Sequence, residues 1–96
     1  MDIESPILIA AINARHSHAS LGSRYLLANM GDLRPQTALA EFTLQQPATD
    51  IAADIAARNP RILALGVYIW NATRVAELLP LLRQQLPRLN IVLGGP

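Results

Sequence analysis

The 96-residue chain has no cysteine and no lysine. Without cysteine there is no disulfide, no thiolate zinc site and no cysteine nucleophile. An iron–sulfur cluster likewise cannot be held on cysteines of this chain. Without lysine there is no Walker loop, and no Gly-x-Gly-x-x-Gly follows the first apolar stretch either. Ser17, Ser20 and Ser23 are too scattered for a flavodoxin phosphate loop, and Asn13 and Asn71 stand where a response regulator would need acids. Although 51% of the residues are apolar, no run is long enough to cross a bilayer as a helix, so no membrane partner is expected. An excess of one charge is missing too: eight arginines face seven acids. Arg15, Arg24, Arg58, Arg61, Arg74, Arg83 and Arg88 are spread along the chain rather than gathered into a stripe, which argues against a nucleic-acid partner. A secretory leader opens on basic residues, whereas Asp2 and Glu4 stand here, so the expected location is cytoplasmic.

Histidine is scarce. His16 and His18 are two apart, yet no third protein ligand for zinc is suggested near them. Exposed loop residues or local hydrogen-bonding partners is the plainer reading. Ser17 and Ser20 lie beside histidines, but no Gly-x-Ser-x-Gly elbow is present, and a hydrolase is disfavoured.

What the chain does have is Arg61-Ile62-Leu63-Ala64-Leu65-Gly66-Val67-Tyr68-Ile69-Trp70-Asn71. A continuous apolar run reads as a strand buried on both faces, central in a parallel sheet. It leads directly into the only tryptophan. Ligands of open α/β sheets sit beyond the carboxyl ends of such strands, so Gly66 to Asn71 are expected to wall a site.

Around this stretch the chain alternates. Ile7–Ile12 forms a first strand after Pro6, and a helix follows with Ser20 as its cap. Leu21, Tyr25 and Ala28 share one face of that helix, with Leu26 and Met30 beside it; Gly31 supplies a left-handed stop before Pro35. Ala38–Leu44 makes a second strand, and Thr49 or Asp50 caps a short helix with Ile51 and Ile55 inward, ended at Asn59-Pro60. Asn71 or Thr73 opens a third helix whose core face is Val75, Leu78, Leu79, Leu82 and Leu86. Pro80 is expected to kink it, because proline cannot donate to the carbonyl of Ala76. Asn90–Leu93 forms a fourth strand before Gly94-Gly95-Pro96. The order β-α-β-α-β-α-β predicts a parallel sheet in the order 2-1-3-4 with right-handed crossovers. A stop directly after a strand leads one to expect a piece of a longer protein.

Two features carry alternative readings. Gly94-Gly95 marks either a tight turn or close approach of a ligand to bare backbone. Trp70 is either a core anchor or an apolar wall for a large flat ligand, and Tyr68 extends whichever surface it forms.

Taken together, Asn13-Ala14-Arg15-His16-Ser17-His18-Ala19-Ser20-Leu21-Gly22, Tyr68-Ile69-Trp70-Asn71 and Val92-Leu93-Gly94-Gly95-Pro96 resemble the amino-terminal cobalamin (B12)-binding domain of B12-dependent radical SAM proteins. The resemblance covers nearly the whole chain in order. It implies a flavodoxin-like (Rossmann-type) three-layer α/β domain with the corrinoid across the strand ends. It also implies a downstream barrel domain carrying a 4Fe-4S cluster and S-adenosylmethionine, neither held by this segment. Asn13, Arg15, His16, Ser17, His18, Ser20 and Leu21 would flank the corrin. Gly66, Tyr68, Trp70 and Asn71 would line the cleft for its nucleotide tail, and Gly94 and Gly95 would admit that tail.

The departures from the pattern matter as well. B12 domains of the methionine-synthase type carry Asp-x-His-x-x-Gly after the first strand, the histidine ligating cobalt from below. Here His18 stands four residues before Gly22, and His16 follows Ala14 and Arg15 rather than an acid. No protein ligand to the metal is therefore assigned. A serine common near the end of the central strand is replaced by Gly66 or Tyr68. The resemblance thus implies a cobalamin-binding module inactive by itself, the whole protein being a radical SAM enzyme for methyl transfer or related chemistry. The alternative is a module that no longer binds cofactor and packs against the catalytic domain or a second copy of itself.

Overall fold

The computed structural model describes residues 6–15 and 21–95. In chain order these form β1 (Ile7–Asn13), α1 (Leu21–Ala28), a 3-10 segment (Gly31–Gln36), β2 (Thr37–Thr43), α2 (Ala48–Arg58), β3 (Ile62–Gly66), α3 (Ala72–Gln85) and β4 (Asn90–Gly94). The four strands are parallel in the order β2-β1-β3-β4, a flavodoxin-like sheet as the alternation of elements predicts.

Strand residues alternate between two faces, and the register carries the alternation across the sheet. Leu8 pairs with Ala38 and Leu63, and Ala10 with Ala40 and Leu65. Together with Ile12 and Phe42 these build one core with Ile51, Ala52 and Ile55 of α2 and Val75, Leu78 and Leu82 of α3. Helical spacing thus identified the inward stripes of α2 and α3 correctly. The opposite face is covered differently. Ile9 and Ala11 are buried there, and α1 packs over β1 and β2. An ion pair from Arg24 on α1 to Glu41 on β2, at 2.8 Å, accompanies that contact.

The strand buried on both faces is β1, not β3. Residues 8–12 of β1 are all buried, whereas in β3 only Leu63 and Leu65 are, and Ile62 is exposed. The apolar run of β3 reflects an interior position in the sheet, between β1 and β4, but α1 leaves much of its other face open.

The helix ends also differ from expectation. α2 begins one residue before Thr49, with Pro47 at the cap position; the carbonyl of Pro47 accepts from the amides of Asp50 and Ile51. Asp50 therefore sits inside the first turn, where its charge complements the helix dipole. Asn59 closes α2 in the left-handed region at φ 49°, a conformation asparagine tolerates. α3 runs unbroken through Pro80, which lies on its exposed side. On α1 the inward positions are Ser23 and Leu27, while Tyr25 is 74% exposed and Leu26 half exposed, so the face chosen from spacing was wrong. An eight-residue helix offers only two turns of pattern, too few to fix a face. Gly31 does take a left-handed φ of 59°, but it leads into the 3-10 segment that contains Pro35. Ser20, the expected cap of α1, lies outside the described residues.

Candidate functional site

Strand order reverses between β1 and β3, so the crevice at their carboxyl ends is the topological switch point where open α/β sheets place ligands. Two short segments meet there: the end of β1, Ile12 and Asn13, and Val67 to Asn71 after β3. Asn71 locks them together. Its Nδ2 donates to the carbonyls of Ile12 (3.2 Å) and Gly66 (3.1 Å), and its Oδ1 accepts from the amide of Tyr68 (2.8 Å). At 1% exposure these bonds satisfy the side chain internally, so Asn71 positions the β3–α3 loop rather than facing a ligand. It occupies the cap position of α3 without capping it, because its side chain is already committed.

Trp70 adds a second tie, its Nε1 donating to the same Ile12 carbonyl at 3.3 Å. Trp70 is 52% exposed, so it is not a core anchor. Tyr68 stacks on it with parallel planes and centroids 4.6 Å apart. Ile69, between them in sequence, is almost wholly exposed.

Below this loop an open cleft of about 230 Å³ runs along the α1 side of the sheet. Its floor is Ile9 of β1, Ala64 and Gly66 of β3 and Val92 and Gly94 of β4; Gly22, Ser23 and Leu26 of α1 stand over it, and Tyr68 also lines it. The register sets Gly66 directly opposite Gly94, so two adjacent strands lack side chains at one point, and the Tyr68 ring lies over Gly66. A Cβ on Gly94 would meet nothing within 4 Å, so that position is open to an approaching ligand. Gly95 answers to another need. A Cβ there would overlap the carbonyl oxygen of Val67, whose amide donates to the Gly94 carbonyl at 2.6 Å. The two readings of the glycine pair are thus divided between its members: Gly95 serves a tight backbone contact, and Gly94 leaves bare surface.

Of the residues singled out from sequence, Gly66, Tyr68, Gly94 and Gly95 border this cleft. Trp70 stands beside it through Tyr68, and Asn13 and the exposed Arg15 lie at the end of β1. His16, Ser17, His18 and Ser20 lie outside the described residues, as does the side chain of Leu21. Ala64, Val92, Ile9 and Leu26 were not anticipated. Aligning the third and fourth strands Gly66 to Gly94 would have pointed to Ala64 and Val92, which pair two residues earlier. A wider depression of about 600 Å³, lined by Asn59 to Arg61 and Gln85 to Asn90, lies at the opposite end of the strands, away from the switch point. Among the described residues no three histidine, cysteine or acidic side chains gather to hold a metal ion, and no helix is long and apolar enough to cross a membrane.

No family model matches the chain, and no curated protein does. Among solved structures, the fold is shared with a novel cobalamin-binding protein from Desulfitobacterium hafniense DCB-2, at a TM-score of 0.64 and 17% identity. The match covers 97% of this chain and 46% of that one, so the chain spans less than half the length of its structural relative. At this identity the likeness establishes that both chains share the cobalamin-binding protein's α/β architecture.

Proposed function

We propose that the chain is a cobalamin-binding module, and that in the whole protein it serves a downstream radical SAM domain holding a 4Fe-4S cluster and S-adenosylmethionine. The observation that carries this reading is the apolar cleft over the carboxyl ends of β3 and β4, beside the switch point, whose Gly66–Gly94 floor is open at Gly94. The cleft fits one part of such a ligand. Whole-ligand pockets run to roughly 300–1,000 Å³, whereas about 230 Å³ is present here. That suits a flat nucleotide tail, with the corrin lying outside over the strand ends near Asn13, Arg15 and Trp70. When bound, the corrinoid supplies cobalt chemistry for methyl transfer or radical rearrangement; this chain's residues bind and orient it. Cobalt ligation is assigned to no protein residue.

Titration with hydroxocobalamin, followed by absorbance, tests the reading. Wild-type protein is expected to bind, and Gly94→Val, which fills open space on the floor, is expected to lose roughly tenfold or more in affinity, about 1.4 kcal/mol. His18→Ala is expected to leave the bound spectrum unchanged. Absence of binding by the wild type overturns the module reading. One observation favours the second reading, a module without cofactor that packs against a partner: Tyr68 already lies in the cleft.

A further inference from the structure

Tyr68 is two residues beyond the end of β3, yet its ring folds back over that strand. A Cβ on Gly66 would lie 2.9 Å from Cε2 of Tyr68 and 3.5 Å from Cζ, and a Cβ on Gly22 would lie 3.7 Å from the phenolic oxygen. The phenol therefore fills the gap between β3 and the first turn of α1, a gap that requires glycine at position 66, whereas a Cβ at position 22 would only touch the phenol. Its partner in stacking is Trp70, parallel at 4.6 Å. Trp70 is itself fixed by the bond to the Ile12 carbonyl. A glycine floor and an anchored indole together describe a slot shaped for a planar ring, and the chain's own ring is in it.

We propose that Tyr68 is the resident occupant of a slot for one planar, uncharged heteroaromatic base, and that an incoming base displaces it and stacks on Trp70 in its stead. This rests on the cobalamin reading only for which ligand presents the base. Displacement is geometrically simple. The loop is held by the backbone amide of Tyr68 and the side chain of Asn71, not by the phenol, so the ring can swing about its own side-chain torsions while the loop stays tied. Release toward solvent is open, since Ile69 and half of Trp70 are already exposed. The competition between the two rings lowers affinity for the base by the fraction of time Tyr68 occupies the slot.

The test uses 5,6-dimethylbenzimidazole as the probe and the single tryptophan as the reporter. Tyr68→Ala is expected to bind the probe roughly tenfold or more tightly than the wild type, the scale of one base–aromatic stack, with quenching of Trp70 fluorescence. Equal or weaker binding overturns the proposal. A measurement on the wild type stands independently of how the variant folds. At saturating probe, the Tyr68 ring protons are expected to leave the shielding of Trp70 in the proton NMR spectrum. The only other tyrosine, Tyr25, is 74% exposed on α1 and serves as the internal control. Tyr68 signals that stay in place while the probe binds overturn the proposal. A corrinoid arm separates this idea from the functional reading. Tyr68→Ala is expected to gain affinity for hydroxocobalamin but not for cobinamide, which has no nucleotide tail. If the probe displaces Tyr68 and neither corrinoid binds, the slot stands and the cobalamin reading falls. If hydroxocobalamin binds both proteins equally and the probe gains nothing, the slot falls and the cobalamin reading stands.

Discussion

The two faces of the sheet are made by the same four strands and differ in what lies on them. On one face Leu8, Ala10, Ile12, Leu63 and Leu65 meet the inward stripes of α2 and α3, and the contact is closed. On the other, α1 covers β1 and β2, while Ile62, Ala64, Gly66, Val92 and Gly94 are at least partly open. One residue of register separates the two. The closed face holds apolar volume that cannot be removed without leaving a void; the open face carries glycine and small residues that leave room. Stability and binding are thereby assigned to alternate residues of the same strands.

The largest expected effect lies on the closed face. Leu82, fully buried in α3, is expected to cost about 2–5 kcal/mol when replaced by alanine, through lost transfer energy and the cavity left behind. Chemical denaturation measures it. The same truncation of Val92, 56% exposed on the open face, is expected to cost less than about 1 kcal/mol. If the two variants were equally destabilised, the division of labour between the faces would be wrong.

Next in size is the tie between the strand ends. Asn71→Asp keeps the shape and the acceptor for the Tyr68 amide but removes both donors. The Ile12 carbonyl retains Trp70, whereas the Gly66 carbonyl loses the side chain that bonded it, and a carboxylate is set beside both oxygens. A loss of about 2–3 kcal/mol is expected, from an unsatisfied group and an unfavourable charge. Stability near that of the wild type would mean that the loop is held by something other than Asn71.

Much of this was legible in the sequence, and the reasons for the rest are physical. Element order and the parallel topology followed from alternating apolar runs and crossovers, because each crossover has one allowed hand. The inward residues of α3 followed from spacing sustained over three turns, and those of α2 from the pair Ile51 and Ile55 four residues apart. What spacing could not show is which face of β3 has a helix above it, since that depends on where α1 crosses the sheet. Nor could it show that Asn71 bonds backward to β1 instead of capping α3: those partners are 59 and five residues away. Tyr68 and Trp70 read as one surface from their spacing, and they are one. Their stacking, and the return of Tyr68 over Gly66, depend on the turn after β3 rather than on strand periodicity.

Smaller effects distinguish the adjacent glycines. Gly95→Ala drives a methyl group into the Val67 carbonyl and is expected to cost about 1–3 kcal/mol, as overpacking does. Gly94→Ala meets open space and is expected to stay within about 0.5 kcal/mol of the wild type. Thermal melts of the two variants side by side measure the difference. The reverse order of stabilities would assign the tight contact to the wrong glycine.

The smallest expected change in stability comes from the exposed edge, where the contrast between the faces ends. β4 has one strand neighbour, β3, and Val92 and Leu93 are about half exposed on opposite sides of it. Leu93 lies beside Leu79, Pro80, Arg83 and Ile91 in a shallow apolar depression against α3. An edge that is apolar on both sides and carries no charge from Ile91 to Gly94 lacks the features that usually prevent strand addition. We therefore expect this chain to form a two-fold dimer through β4 or the adjoining surface of α3, and not through the loop after β1. Leu93→Glu sets a charge on the edge while removing little buried area, so its folding free energy is expected to change by no more than about 0.5–1 kcal/mol. Its self-association is expected to fall to monomer. Sedimentation velocity across a dilution series of both proteins measures this. A wild type that stays monomeric at the highest concentration overturns the dimer, and a variant that dimerises as the wild type does places the contact away from Leu93.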